Sequence, residues 1–229
     1  YLIESLLVKK YENFCFSKSY KIYLFSKKEI KSIKEKFRKK ISQINFGLDK
    51  SIRKFRFKES NYKIIFIGNI KYTPNRQACL SFIKQILPKL KKKFPKIEFH
   101  IIGEIGFFDR NLFMKKSGVK IFGKKIRIEP YLSNVICGIA NLKISTGIQT
   151  KLLTYMSYAI PAIGSKQVVE NFDQIDNGSL PYYQNDQKLI DLIIKFKTNK
   201  KFSENKSRVL FKMSKKFKWS KVLKVLNRI

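Results

Sequence analysis

The chain has 229 residues, 44% hydrophobic and 14% aromatic, which is enough apolar material for a full core and excludes a disordered chain. No apolar run approaches the roughly 20 residues that a membrane span needs. Lys and Arg number 50 against 16 Asp and Glu, a formal net charge of +34, so electrostatics favours anionic partners.

Charge alone does not choose between an anionic membrane surface, a nucleic acid and a merely solvated basic surface. The basic residues are spread along the chain in clusters such as Lys91-Lys92-Lys93 and Lys124-Lys125. Abundant Lys, Ile, Asn and Phe is also what AT-rich codons give. The aromatics lie in apolar stripes rather than interleaved with Arg, so no nucleic-acid recognition motif is present. Cys15, Cys79 and Cys137 have no zinc or redox spacing and read as reduced core thiols of a cytosolic protein. His100, the single histidine, lies in an apolar run and reads as a strand residue, which leaves no His-based metal site. The chain starts without Met, in what looks like mid-helix, and is expected to be a fragment lacking its N-terminal part.

Residues 1–20 read as a helix, 21–26 as a short strand, and 27–39 as one charged helix. The polar, basic stretch 50–60 reads as a linker. Residues 63–67 form an apolar run ended by Gly68, the pattern of a buried parallel strand. A helix over 76–94 carries the stripe Ile83, Ile86, Leu87, Leu90 and Phe94, and Pro88 should kink or divide it. Strands are expected at 97–103, 119–123 and 135–140, and helices at 107–117 and 130–134. Residues 166–176 read as an irregular loop, 177–183 as a turn and strand, and 187–197 as a helix capped by Asn185-Asp186. Helices over 203–217 and 221–227 close the chain.

The stretch 145–165, S-T-G-I-Q-T-K-L-L-T-Y-M-S-Y-A-I-P-A-I-G-S, carries most of the functional signal. Gly147 allows a tight turn. Ile148, Leu152, Tyr155, Met156 and Ala159 recur at helical spacing, and Pro161 stops the helix before a strand. A loop entering a helix N-terminus presents free N–H groups and a positive dipole end, which suits a phosphate; Lys151 adds charge one turn in. The bland alternative is one more amphipathic αβ unit.

This stretch resembles the signature helix of family 4 glycosyltransferases, nucleotide-sugar enzymes of the GT-B fold. Gly147, Ile148, Lys151, Met156 and Pro161 match. The family's two glutamates, eight residues apart, are Thr146 and Thr154 here, and its glycine before the proline segment is Ala159. "IGNIKYTPNRQACLSFIKQILPKLKKKFP" resembles the opening loop and helix of the donor-binding domain, "FGLD" the end of the N-terminal domain, and "FKWS" a late element before the last helix.

The resemblance implies a Rossmann-like parallel sheet with helices on both faces. Residues 1–60 would be the end of the N-terminal domain and its linker, and 61–229 the donor-binding C-terminal domain. The last helix would fold back toward residues 1–40. The implied reaction moves a sugar from a nucleoside diphosphate sugar to the hydroxyl of a glycan or lipid-linked acceptor, with no metal or other cofactor. Implied donor-binding residues are Gly68, Asn69, Lys71, Arg76, Thr146, Gly147, Ile148, Lys151 and Thr154, with Lys71 and Arg76 as phosphate clamps. In the family the first glutamate contacts the sugar and the second holds the ribose; an uncharged acceptor there weakens such a bond by roughly 1–2 kcal/mol. A non-catalytic GT-B-like module and a basic nucleic-acid-binding protein are the other classes. The expected location is cytoplasmic, with a basic face at the inner side of the plasma membrane.

Overall fold

A computed structural model describes residues 2–49, 51–145, 147–172 and 178–224. Helix α1 (Leu2–Lys18) leads to strand β1 (Ile22–Leu24). Ser26 and Glu29 form a capping box that starts α2 (Lys27–Ser32). The single helix expected over 27–39 is two: the chain turns extended at Ile33, and α3 (Glu35–Arg38) follows. The break buries both Ile33 and Phe37, and the Arg38 guanidinium donates to the freed carbonyls of Lys31 and Ile33. Strand β2 (Ile41–Gln43) then pairs parallel with β1 as a separate two-stranded sheet.

The main sheet begins with β3 (Lys63–Ile67). After it come α4 (Thr73–Ser81), a π-helical segment at Phe82–Ile86, and α5 (Leu87–Lys93). Pro88 has no N–H, and its ring would strike the Lys84 carbonyl of a regular helix. The wider π turn, closed by Leu87 N–H to Phe82 O, accommodates it while Phe82, Ile83, Ile86, Leu87 and Leu90 stay buried. Strand β4 (Glu98–Ile102), α6 (Phe107–Met114) and β5 (Val119–Ile121) follow. The short helix expected at 130–134 is a 3₁₀ turn at Glu129–Tyr131, ahead of β6 (Val135–Ala140), whose six residues are all buried.

Helix α7 (Thr150–Ser157) leads to β7 (Ala162–Ser165). The loop expected from 166 starts instead as α8 (Lys166–Glu170), because Ser165 Oγ caps Val168 N–H while donating to Leu142 O at 2.6 Å. Residues 173–177, within the expected loop and turn, lie outside the described residues. Strand β8 (Tyr182–Tyr183), α9 (Asp186–Thr198), α10 (Lys200–Ser214) and α11 (Trp219–Val222) complete the chain. Residues 225–227 of the expected last helix are outside the described residues.

The six strands are all parallel in the order β5-β4-β3-β6-β7-β8. Successive crossovers run outward from β3 on one side and from β6 on the other. Helices α9 and α7 both pack on β6, α10 packs against both of them, and helices flank the sheet. Among the described residues, the tail returns to the segment just after β2. Leu48 bridges to Lys218, and the Trp219 indole occupies the space that a Cβ on Gly47 would need. Phe46 packs on the same indole, and an apolar residue after a short second strand is what the returning tail covers.

Candidate functional site

The strand order reverses between β3 and β6, and a crevice opens at such a point beyond the carboxyl ends of the strands. Tyr155 fills its floor. Its ring lies over Gly138, where a Cβ would come within 2.6 Å of the ring. The hydroxyl accepts from Ile67 N–H at 3.0 Å and donates between the Ile139 and Ile65 carbonyls at 3.2 and 3.3 Å. One buried phenol thus pins the two diverging strands together. Tyr155→Phe should lower the free energy of unfolding by roughly 1–3 kcal/mol, since it strips the acceptor from the Ile67 N–H. Urea titration would show this as a reduced midpoint with an unchanged slope.

Two loops end at this crevice. In the first, Asn69 is exposed; its carboxamide oxygen accepts from Lys71 N–H, and its carbonyl accepts from Asn75 Nδ2 at 2.8 Å. Gly68 leaves only 3.1 Å between its missing Cβ and that amide. Gly103, at φ 150°, lies against the Gly68 carbonyl from the neighbouring strand end. Both expected phosphate clamps are already partnered: Lys71 Nζ pairs with Glu104 at 2.6 Å, and Arg76 Nε with Asp109 at 2.7 Å. The Lys71 ammonium holds the Glu104 carboxyl below the usual carboxylate range.

The second loop is the signature turn. Gly147 has φ 66°. Gln149 is the N-cap of α7 and makes no side-chain cap bond; in the first turn the Leu152 N–H donates to the Gln149 carbonyl. Lys151 is buried rather than solvated, at 6% exposure. Its ammonium donates to Asn75 Oδ1 and Gln149 Oε1, both at 3.1 Å, and lies 5.1 Å from the centre of the Phe66 ring. Both acceptors are neutral amides, and burial pulls the Lys151 ammonium down to about 8. Among the described residues the Lys151 ammonium has no carboxylate partner, and a buried cation at a helix start suits an anion.

The two loops are therefore joined by the chain Lys151–Asn75–Asn69, while Gly147 itself faces Glu29 of α2. Ile148 is half-buried and packs on the core. Thr154, expected to point toward a ribose, turns its hydroxyl back to the Thr150 carbonyl at 3.1 Å. Thr146 lies outside the described residues. Ala159, in place of the family's glycine, takes φ 59° in the turn after α7, with Ala159 N–H bonded to Met156 O and Ile160 N–H to Tyr155 O. That αL closure is where glycine is preferred, which explains the residue that the signature calls for.

Sequence reasoning missed Asn75, Gln149 and Glu29. Only Lys151 carried a visible signal: it lies one helical turn before Tyr155, on the stripe that faces the core.

A model of the family described as glycosyl transferases group 1 matches residues 61–199, which include both loops and the crevice. The chain belongs to this family. No curated protein sequence matches it. Among solved structures, TarM superposes with TM-score 0.74 at 16% identity, over 95% of this chain and 45% of that one. HepE of Anabaena, in complex with UDP and glucose, gives 0.75 at 10% identity over 94% and 64%. The pneumococcal O-GlcNAc transferase GtfA, in complex with UDP and GlcNAc, gives 0.70 at 13% identity over 96% and 47%. These likenesses show the GT-B fold. The chain spans from 45% to 64% of the length of these neighbours. The six-stranded parallel sheet flanked by helices is as the resemblance implied.

Proposed function

We propose that this chain forms the donor side of an enzyme that transfers a sugar from a nucleoside diphosphate sugar to an acceptor hydroxyl, in glycan or polysaccharide assembly. The observation that carries the reading is Lys151, buried and held by Asn75 at the start of α7 beside the β3/β6 crevice. As the bond from the anomeric carbon to the diphosphate oxygen breaks, negative charge grows on the leaving group. Preorganised N–H groups and one ammonium stabilise that charge with little reorganisation. The nucleotides bound by HepE and GtfA support UDP as the first donor nucleotide to test.

A second reading, a GT-B-like binding module without turnover, is favoured by one observation: Thr154 offers no charge, and its hydroxyl is engaged with its own helix. Calorimetry with UDP and GDP separates the two. A working donor site binds one of them, and Thr154→Glu binds it more tightly by roughly tenfold, because a charged acceptor at the ribose adds about 1–2 kcal/mol. Binding of neither, with Thr154→Glu silent, supports the module.

The net charge of +34 further supports attachment to an anionic membrane surface, where lipid-linked acceptors lie. No helix among the described residues is long and apolar enough to cross a membrane. The protein should sediment with vesicles containing anionic lipid and be released by high salt, with little binding to neutral vesicles. Equal sedimentation with both lipid types contradicts a charge-driven attachment.

A further inference from the structure

A sugar on a diphosphate bound at the α7 start presents hydroxyl donors, and a carboxylate is their strongest acceptor. The side chains tied together at that start, Lys151, Gln149 and Asn75, are a cation and two amides. The carboxylate comes from elsewhere in the chain. Glu29 sits on the third residue of α2, and one of its oxygens accepts the Ser26 N–H at 3.1 Å, which fixes the side chain. The other, Oε1, lies 3.1 Å from the point where a Cβ on residue 147 would stand. Because residue 147 is glycine, nothing of its own side chain comes between the carboxylate and the turn.

One further observation points the same way. Bases outnumber acids 50 to 16, yet among the described residues Glu29 takes part in no ion pair, unlike Glu104 and Asp109 at the neighbouring loop. We infer that Glu29 is a donor-recognition residue, whose carboxylate accepts hydrogen bonds from the hydroxyls of the donor sugar across the Gly147 turn. This rests on the donor-site reading above, and it places the sugar-reading group on the segment that precedes the main sheet.

The test is calorimetry of the whole chain with UDP, UDP-glucose and UDP-N-acetylglucosamine, on the unmodified protein and on Glu29→Gln. Glutamine still accepts the Ser26 N–H, so the capping box and the fold survive, as a matching melting curve would confirm. The expected result is that the unmodified protein binds one UDP-sugar more tightly than UDP. Glu29→Gln then loses that increment, roughly tenfold, while its affinity for UDP is kept or raised. An equal sugar increment in both proteins, or no increment in either, overturns the assignment of Glu29 but leaves the nucleotide site standing. Failure of the unmodified protein to bind UDP in any form overturns the donor-site reading itself.

Discussion

Lys151→Met is expected to weaken UDP binding by roughly 10- to 100-fold, the loss of a charge-assisted contact worth about 1.5–3 kcal/mol, without unfolding the protein. Methionine matches the side chain as far as Cε and lacks only the ammonium, which also lies over the Phe66 ring. It leaves Asn75 Oδ1 and Gln149 Oε1 without a donor, but it also removes a desolvated ammonium, and the two effects on stability oppose each other. The pH dependence isolates the charge. Burial lowers the Lys151 pKa from 10.5 to about 8, so between those values the folded state binds fewer protons than the unfolded state. This group's contribution to stability therefore rises with pH across that window and is flat below it. Diphosphate favours the protonated ammonium, so UDP affinity should fall as pH rises through about 8, and the fall should be absent in Lys151→Met. Calorimetry from about pH 7 to about pH 9.5 on both proteins measures it.

Gly103→Ala is expected to cost about 3 kcal/mol or more of stability, a fall in Tm of roughly 10 °C for a chain of this size. An added Cβ would stand 1.9 Å from the Gly68 carbonyl oxygen and 2.7 Å from its carbon, and φ 150° is itself unfavourable for an L side chain. The obstructing atoms are backbone, so no rotamer change relieves them. The chain must shift at the loop that closes the donor crevice, and UDP affinity should fall with stability. Gly106→Ala is the matched control: its Cβ would meet nothing within 4 Å, and φ is −70°, so the change in stability should stay within about 1 kcal/mol. Thermal melts of the two variants side by side decide the matter.

Much of the sheet was legible because parallel strands buried on both faces are written as unbroken apolar runs. Lys63–Ile67 and Val135–Ala140 are such runs, and they are the two strands that flank the crevice. The signature turn was legible from Gly147, Lys151 and Pro161 in one short order. What stayed hidden depends on contacts distant in sequence. Asn75 looks like an ordinary residue of a helix start, and only the fold brings Lys151 to it from 76 residues away. Lys71 and Arg76 read as free cations until Glu104 and Asp109, each 33 residues on, fold against them. Glu29 reads as a capping-box residue, which it is; its second oxygen acquires a role only when α2 is laid beside Gly147. The π segment shows a local conflict settled by packing: Pro88 forbids a regular helix, and the five buried side chains around it forbid a break.

The proposed nucleoside diphosphate site lies between the loop after β3 and the start of α7. Hydrogen–deuterium exchange with and without saturating UDP tests it at the residues concerned, because backbone N–H groups that donate to phosphate oxygens exchange more slowly. Protection is expected to concentrate in Gly68–Lys71 and Gly147–Leu152, with the far edge at β5 and the last helices unchanged. Binding that leaves those two segments unprotected, or that protects a different part of the molecule, would contradict it.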